Sequence, residues 1–276
     1  MNRRSFVTMI GAGSLAPHVP RDFFAAAKLG KIGLQLYTVR TLMQQSVERT
    51  LAMIAAIGYK EVEFAGYFGR PPRSIKQLLK RNGMSSPAAH VGIDVIRGMF
   101  NRTIDEAAEA GHKWLVVPWL PEADRNSIDA IKRTADLFNR AADDADRGGM
   151  RFAYHNHDFE FKEIEGRRMY DVLLESTDAK RVQMEMDLYW IIKGGGDPAA
   201  YFARYPGRFP LFHVKDGGPA PGRVMSDVGK GSIDFGAIFA MSKMSGAKHY
   251  FVEHDSPADP AASVKASYEH LRALRY

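Results

Sequence analysis

The chain contains no cysteine in 276 residues. Disulfides and thiolate metal sites are excluded, so any metal has to rest on histidine, aspartate and glutamate. No apolar run is long and uninterrupted enough to serve as a stable membrane anchor. The turn after the first expected strand, RTLMQQ at 40–45, has no glycine, which argues against the phosphate-binding turn of a doubly wound nucleotide fold. Neither sign of charge forms a block. The 38 Lys and Arg are mixed with 32 Asp and Glu, so the net charge of +6 and a pI of about 9.4 describe solvated surface and not a nucleic-acid groove. The rest is ordinary globular composition, 45% hydrophobic and 25% charged.

The start of the chain reads differently. MNRRSFVTMIGAGSLAPHVPRDFFAAAKLG places Arg3 and Arg4 before a mildly apolar Gly/Ala-rich stretch and the small residues Ala25, Ala26 and Ala27. Charged, apolar and small-residue regions in this order are those of an export signal. The paired arginines are those of the twin-arginine type. The expectation is a signal over 1–27, a catalytic domain over 28–276 and a periplasmic location.

From residue 30 the chain alternates between short apolar runs and amphipathic segments. Strands are expected at 31–39, 61–66, 87–93, 113–120, 151–157, 181–190, 210–216 and 249–255. Helices are expected near 42–57, 73–82, 101–110, 126–148, 169–177, 197–205, 234–245 and 259–274. Eight regular strand–helix units without a composition break predict a single-domain α/β fold, a closed (β/α)8 TIM barrel.

Active sites of such barrels form at the carboxyl ends of the strands. These ends are polar here: Gln35, Tyr37 and Arg40; Glu61 and Glu63; His90 and Asp94; His155 and His157; Glu185 and Asp187; His213 and Lys215; Glu253 and Asp255. Successive side chains of a strand face opposite ways. Glu185 and Asp187 alternate with Met184 and Met186, and His213 and Lys215 with Phe212 and Val214, so the polar set points inward. Buried carboxylates are costly unless a partner or a metal balances them. Imidazole and carboxylate donors together suit Mn, Zn, Co or Fe.

Taken together, IGLQLYTVR (32–40), GYKEVEFAG (58–66), YHNHDFEF (154–161), MDLYW (186–190), FHVKDG (212–217), VGKGSIDF (228–235) and FVEHD (251–255) make the chain similar to the xylose isomerase-like barrels, in particular to their sugar phosphate isomerase/epimerase branch. The resemblance covers 30–276. It implies one divalent metal (Mn, Zn, Co, Fe or Mg) held by Glu, Asp, His and Glu from strands five to eight. Asp187, His213 and Glu253 match the last three. The first departs from the pattern: either His155 replaces the glutamate or Glu160 curls back to serve.

The resemblance further implies an isomerase or epimerase that passes through an enediolate of a ketose or keto-sugar. The alternative is a lyase or dehydratase cleaving a keto-sugar or keto-glycoside by the same proton abstraction, and a non-catalytic carbohydrate-binding barrel ranks below both. Glu253 is expected as ligand and acid/base, with His155, His157 or Glu160 as the second proton-transfer group. His90, Glu63 and Lys215 are expected as substrate contacts. Trp190 and Trp119 are placed either to stack on a sugar ring or to fill core. Gly229 and Gly231 lack the full spacing of a phosphate loop and are expected to form a tight turn before Asp234. The expected partner is a small sugar, with no nucleic acid, and the short loops leave room for a second copy to close the pocket.

Overall fold

The structure is a computed structural model that describes residues 27–276. The expected export signal lies outside the described residues, apart from its last residue, Ala27. Eight parallel strands close into a barrel in chain order: β1 (Gly33–Gln35), β2 (Glu61–Phe64), β3 (Ser85–His90), β4 (Trp114–Val117), β5 (Arg151–His155), β6 (Val182–Asp187), β7 (Leu211–Val214) and β8 (His249–Val252). The barrel closes where Gly33 and Leu34 pair with Phe251 and Val252. The outer layer consists of α1 (Val47–Ile57), α2 (Pro72–Arg81), α3 (Phe100–Ala110), α4 (Ile128–Arg147), α5 (Met169–Ser176), α6 (Pro198–Arg204), α7 (Phe235–Ala240) and α8 (Pro260–Ala273). This is the expected (β/α)8 barrel. No helix among the described residues is long and apolar enough to cross a membrane.

Local chemistry sets the boundaries. Ser46 takes an extended conformation and its hydroxyl accepts the N–H of Arg49, so the helix expected over 42–57 divides into Arg40–Gln45 and α1. Ser127 caps α4, and Asp197 and Asp259 cap α6 and α8, each just before a proline. Strand six ends three residues early because Asp187 turns its side chain onto the N–H of Trp190 and starts the short helix Leu188–Lys193.

The strand alternation divides the core in two. Met184, Met186, Phe212 and Val214 join the large apolar layer between barrel and helices. Ala88, Trp114, Val116, Ala153, Leu211 and Phe251 form a separate cluster inside the barrel. This plug is dense: a Cβ on Gly33 would lie 2.5 Å from the Phe251 ring, so the glycine makes room for that side chain.

Two residues read above as strand-end groups lie elsewhere. Glu61 opens β2 and sits at the amino end of the barrel, bonded to Lys31 (3.3 Å) and His249 (2.8 Å). Asp94 lies in the helix Ile93–Gly98, is 91% exposed and pairs with Arg97.

The loop carrying Gly229, Lys230 and Gly231 encloses an anion of the protein's own. The buried Asp216 carboxylate accepts the N–H groups of Gly217 (2.8 Å), Gly229 (2.9 Å), Gly231 (3.0 Å) and Ile233 (3.3 Å). A Cβ at Gly231 would fall 2.1 Å from Asp216 Oδ1. Asp216→Ala should leave these donors unpaired and cost on the order of 3 kcal/mol, read as a lower urea midpoint with an unchanged slope.

Candidate metal centre

Four side chains meet at the carboxyl end of the barrel. His155 and Asp187 are the last residues of β5 and β6, His213 is the third of β7, and Glu253 follows β8 directly. One ligand atom from each lies within 4.8 Å of the others, and all four residues are buried. His155 Nε2 is 3.3 Å from Asp187 Oδ2, and His213 Nδ1 is 2.9 Å from Glu253 Oε2 and 3.9 Å from Asp187 Oδ2.

The surroundings place the imidazole hydrogens. His155 Nδ1 lies 3.1 Å from the Pro118 carbonyl, which can only accept; Nδ1 therefore carries a hydrogen, and Nε2 is the nitrogen that faces the group. His213 Nε2 faces Glu63 Oε2 (2.7 Å) and Glu185 Oε2 (3.1 Å) and donates to a carboxylate; burial opposes the charge of the ring, but Glu185 and Glu253 raise its pKa well above the ordinary value, so Nδ1 also donates, to Glu253, and a bound cation would take the place of that hydrogen. Asp187 has its Oδ1 on the N–H of Trp190, and its own N–H is held by Asn156 Oδ1 (3.1 Å), which fixes Oδ2 toward the others.

Among the described residues Lys215 is the one ammonium in this layer. Its Nζ lies 3.0 Å from Asp187, 2.7 Å from Glu253 and 2.8 Å from Asp255. Burial raises the Asp187 and Glu253 carboxyls, but Lys215 and the nearby imidazoles outweigh it and hold both below their ordinary range. Burial opposes the Lys215 charge, yet its three carboxylate neighbours raise its pKa above the usual lysine value.

Beneath this group lies a second one. Glu63, His90, Glu185 and His213 also place ligand atoms within 4.8 Å of each other. Gln35 donates to Glu63 (2.7 Å), and His90 Nε2 lies 3.1 Å from Glu185 and 3.3 Å from Glu63. Burial lowers the His90 pKa, but the two glutamates push it up to about 9. The second oxygens of Glu63 and Glu185, both Oε1, are buried without a partner. The upper set, two imidazoles and two carboxylates with one ligand atom each turned toward the others, fits a divalent cation by donor chemistry. The lower glutamates fit as the carboxylates that orient a ligating histidine.

His155 and Glu253 of the upper group and His90 of the lower line a cavity of about 500 Å³, together with Tyr37, Trp119, His157 and Lys215 among others, whereas Asp187 and His213 are fully buried and do not line it. A cavity of similar size, about 520 Å³, opens at the amino ends of the strands beside Trp114, Arg151 and Lys248, and neither candidate metal group lies in it.

Residues 51–274 match the family model described as "Xylose isomerase-like TIM barrel". The chain belongs to this family. Among its relatives, an inosose dehydratase of Geobacillus thermodenitrificans (strain NG80-2) is 24% identical over 269 residues, covering 83% of this chain and 88% of that one. The crystal structure of a sugar phosphate isomerase/epimerase from Parabacteroides distasonis ATCC 8503 superimposes with a TM-score of 0.78 at 28% identity, over 88% of this chain and 98% of that one. The IolI protein, solved with a bound zinc atom, has the same fold at 14% identity and a TM-score of 0.71, over 87% of this chain and 95% of that one.

The structure separates the candidate residues of this family member. His155 joins the cation group, and Glu160 does not. Glu160 sits in the turn Phe159–Phe161, where its carboxylate accepts from the Tyr154 hydroxyl and from the N–H of His157 (2.9 Å). Tyr154 packs with Phe138 in the outer apolar layer, so Glu160 is drawn behind β5 and away from the cavity. Glu63 lies beneath His213 and does not line the cavity; His90 and Lys215 do line it. Trp190 packs behind His157, with ring centroids 5.4 Å apart, and does not line it either. His157 faces the cavity with Nδ1 buried and unpartnered. Burial first, then His155 and Lys215, depress its pKa to about 3, so its imidazole is neutral. Glu185, Tyr37 and Asp255 had no assigned role from sequence. Their strand-end positions were the available signal.

Replacing His155 or Asp187 by Ala should abolish bound divalent metal in the purified full chain, whereas Glu160→Gln should keep it, as read by elemental analysis. Glu63→Gln should weaken metal binding about 10–100-fold without abolishing it.

Glu160 also gives a pH signature. Burial pushes its carboxyl up to about 8 although the Tyr154 hydroxyl and the N–H groups of Glu160 and His157 oppose this. Between the ordinary value of 4.5 and about 8 the native state holds a proton that the unfolded chain has lost, so this residue's contribution to stability falls as pH rises through that window. The Tm of Glu160→Gln relative to the unmodified protein should therefore rise from pH 4.5 to pH 8.

Proposed function

We propose that the protein is a divalent-metal-dependent isomerase or epimerase of a keto-sugar that works by proton transfer at the carbon beside the carbonyl. The convergence of His155, Asp187, His213 and Glu253, of which His155 and Glu253 line an open cavity together with Lys215, carries this reading. These four residues would hold the cation, which when bound supplies Lewis acidity toward a carbonyl and its neighbouring hydroxyl. The zinc-bearing relative supports this reading.

The chain's own groups divide the remaining work. The substrate's C–H electrons move into a carbon–carbon double bond as a base takes the proton, and the carbonyl oxygen becomes negative. His157 faces the cavity from the strand-five side with Nδ1 unpartnered and is the group placed for one proton transfer there. Glu253 and Asp255 supply the other from strand eight. Lys215 stays an ammonium and would balance the developing oxyanion. Return of the proton to the opposite face gives an epimer, and return to the adjacent carbon gives an isomer.

A second reading, a dehydratase or lyase, has its own support. His155 stands where the resemblance implies a glutamate, which leaves one strand-end carboxylate fewer for two-sided proton exchange. The inosose dehydratase relatives point the same way. In that reaction the same carbanionic charge expels a β-substituent, protonated as it leaves.

The test is a panel of keto-sugars incubated with the full chain in heavy water. Deuterium should enter the carbon beside the carbonyl, stop on chelation and return with added Mn²⁺. A product of unchanged mass apart from the deuterium supports the isomerase, and loss of a water or an aglycone supports the lyase. Exchange that ignores chelation contradicts both.

A further inference from the structure

The barrel has a second mouth, at the amino ends of β4–β8. The cavity of about 520 Å³ there has a buried apolar floor that includes Trp114, Met150 and Phe152. Its wall carries charge of almost one sign. Arg151 opens β5, Lys180 and Arg181 directly precede β6, and Lys248 directly precedes β8. Asp146 is the one carboxylate in the lining.

The cations differ in how they are held. Arg181 is fixed by Asp143 and by Asp178, whose Oδ2 lies 3.2 Å from its Nε. The Arg151 guanidinium lies 5.3 Å from the centre of the Trp114 ring, on the neighbouring strand. Among the described residues, Arg151, Lys180 and Lys248 pair with no carboxylate. Elsewhere at the same end of the barrel Glu61 takes both Lys31 and His249. No such carboxylate meets the three free cations of the cavity. Like charges around a concave wall focus a positive potential into it and draw anions there.

The spacing narrows the ligand. Hydrogen-bonded strands lie about 4.8 Å apart, and β5 and β8 are three steps apart around the barrel. The cations therefore start from well-separated points of the rim, which is an arrangement for two anionic groups on one molecule. The volume lies inside the roughly 300–1,000 Å³ of cavities that enclose small ligands. We infer that this mouth binds a small molecule with two anionic groups, phosphates or carboxylates. The site stands at the end of the barrel opposite to the candidate metal centre and does not depend on the reading of that centre.

Calorimetric titration of the full chain, without added divalent metal, tests it with inorganic pyrophosphate, succinate and inorganic phosphate as probes. Pyrophosphate or succinate should bind about tenfold more tightly than phosphate. Preference for pyrophosphate assigns a diphosphate ligand, and preference for succinate assigns a dicarboxylate. Arg151 and Lys248 are both exposed, so Arg151→Ala and Lys248→Ala should keep the fold, checked by Tm, and should each weaken binding about tenfold. Lys132→Ala, an exposed cation of α4 outside the cavity, should leave the affinity unchanged. No binding by any probe, equal affinity for phosphate and the two-group probes, or an affinity unchanged in both cavity variants overturns the inference; the last result would place the anion elsewhere, as at Lys215.

Discussion

Five carboxylates are gathered at the carboxyl end of one barrel: Glu63, Glu185, Asp187, Glu253 and Asp255. Among the described residues a single ammonium, Lys215, faces any of them, and it reaches only the upper three. Taking each charge out of water costs several kcal/mol, so this excess has to be balanced inside the barrel. Imidazole protons balance part of it below, where His90 and His213 stand between Glu63 and Glu185. Above, two imidazole nitrogens and two carboxylates face one another, which is an arrangement for a cation. The apolar plug around Trp114 and Phe251 closes the barrel beneath both layers and keeps these charges in a low dielectric, where each interaction counts for more.

The two layers share His213, and this sharing gives them different work. One ring nitrogen is engaged from below by glutamates, which frees the other to act above. His155 is set in the same manner by a backbone carbonyl. The ligating atoms are thus oriented by bonds that do not touch the cavity. The cavity wall then presents His157, Lys215 and Asp255, and its lining also includes the exposed rings of Tyr37 and Trp119.

The fold was legible in the sequence because eight apolar runs alternated with helical segments and because Met and acid alternated along strand six. The inward set at strands five to eight followed from the same period of two. Positions off the strands were not legible that way. Glu160 lies in a turn, where strand alternation says nothing, and a tyrosine hydroxyl on the outer face decided its direction. Glu61 has the right side-chain direction but opens its strand, and alternation does not say which end of the barrel a residue occupies. Asp94 lies beyond its strand, where a helix start turns it to water. Trp190 belongs to a helix begun by Asp187 itself, so its ring was carried behind His157. The role of Glu185 was hidden because its partners, Glu63 and His90, come from strands far away in sequence.

The most direct measurement is an anomalous-scattering experiment on crystals of the protein grown with Mn²⁺. A single strong peak enclosed by His155, Asp187, His213 and Glu253 is the predicted result. A peak bounded instead by Glu63, His90 and Glu185, or no peak in a crystal whose cavity is open to solvent, would contradict the account.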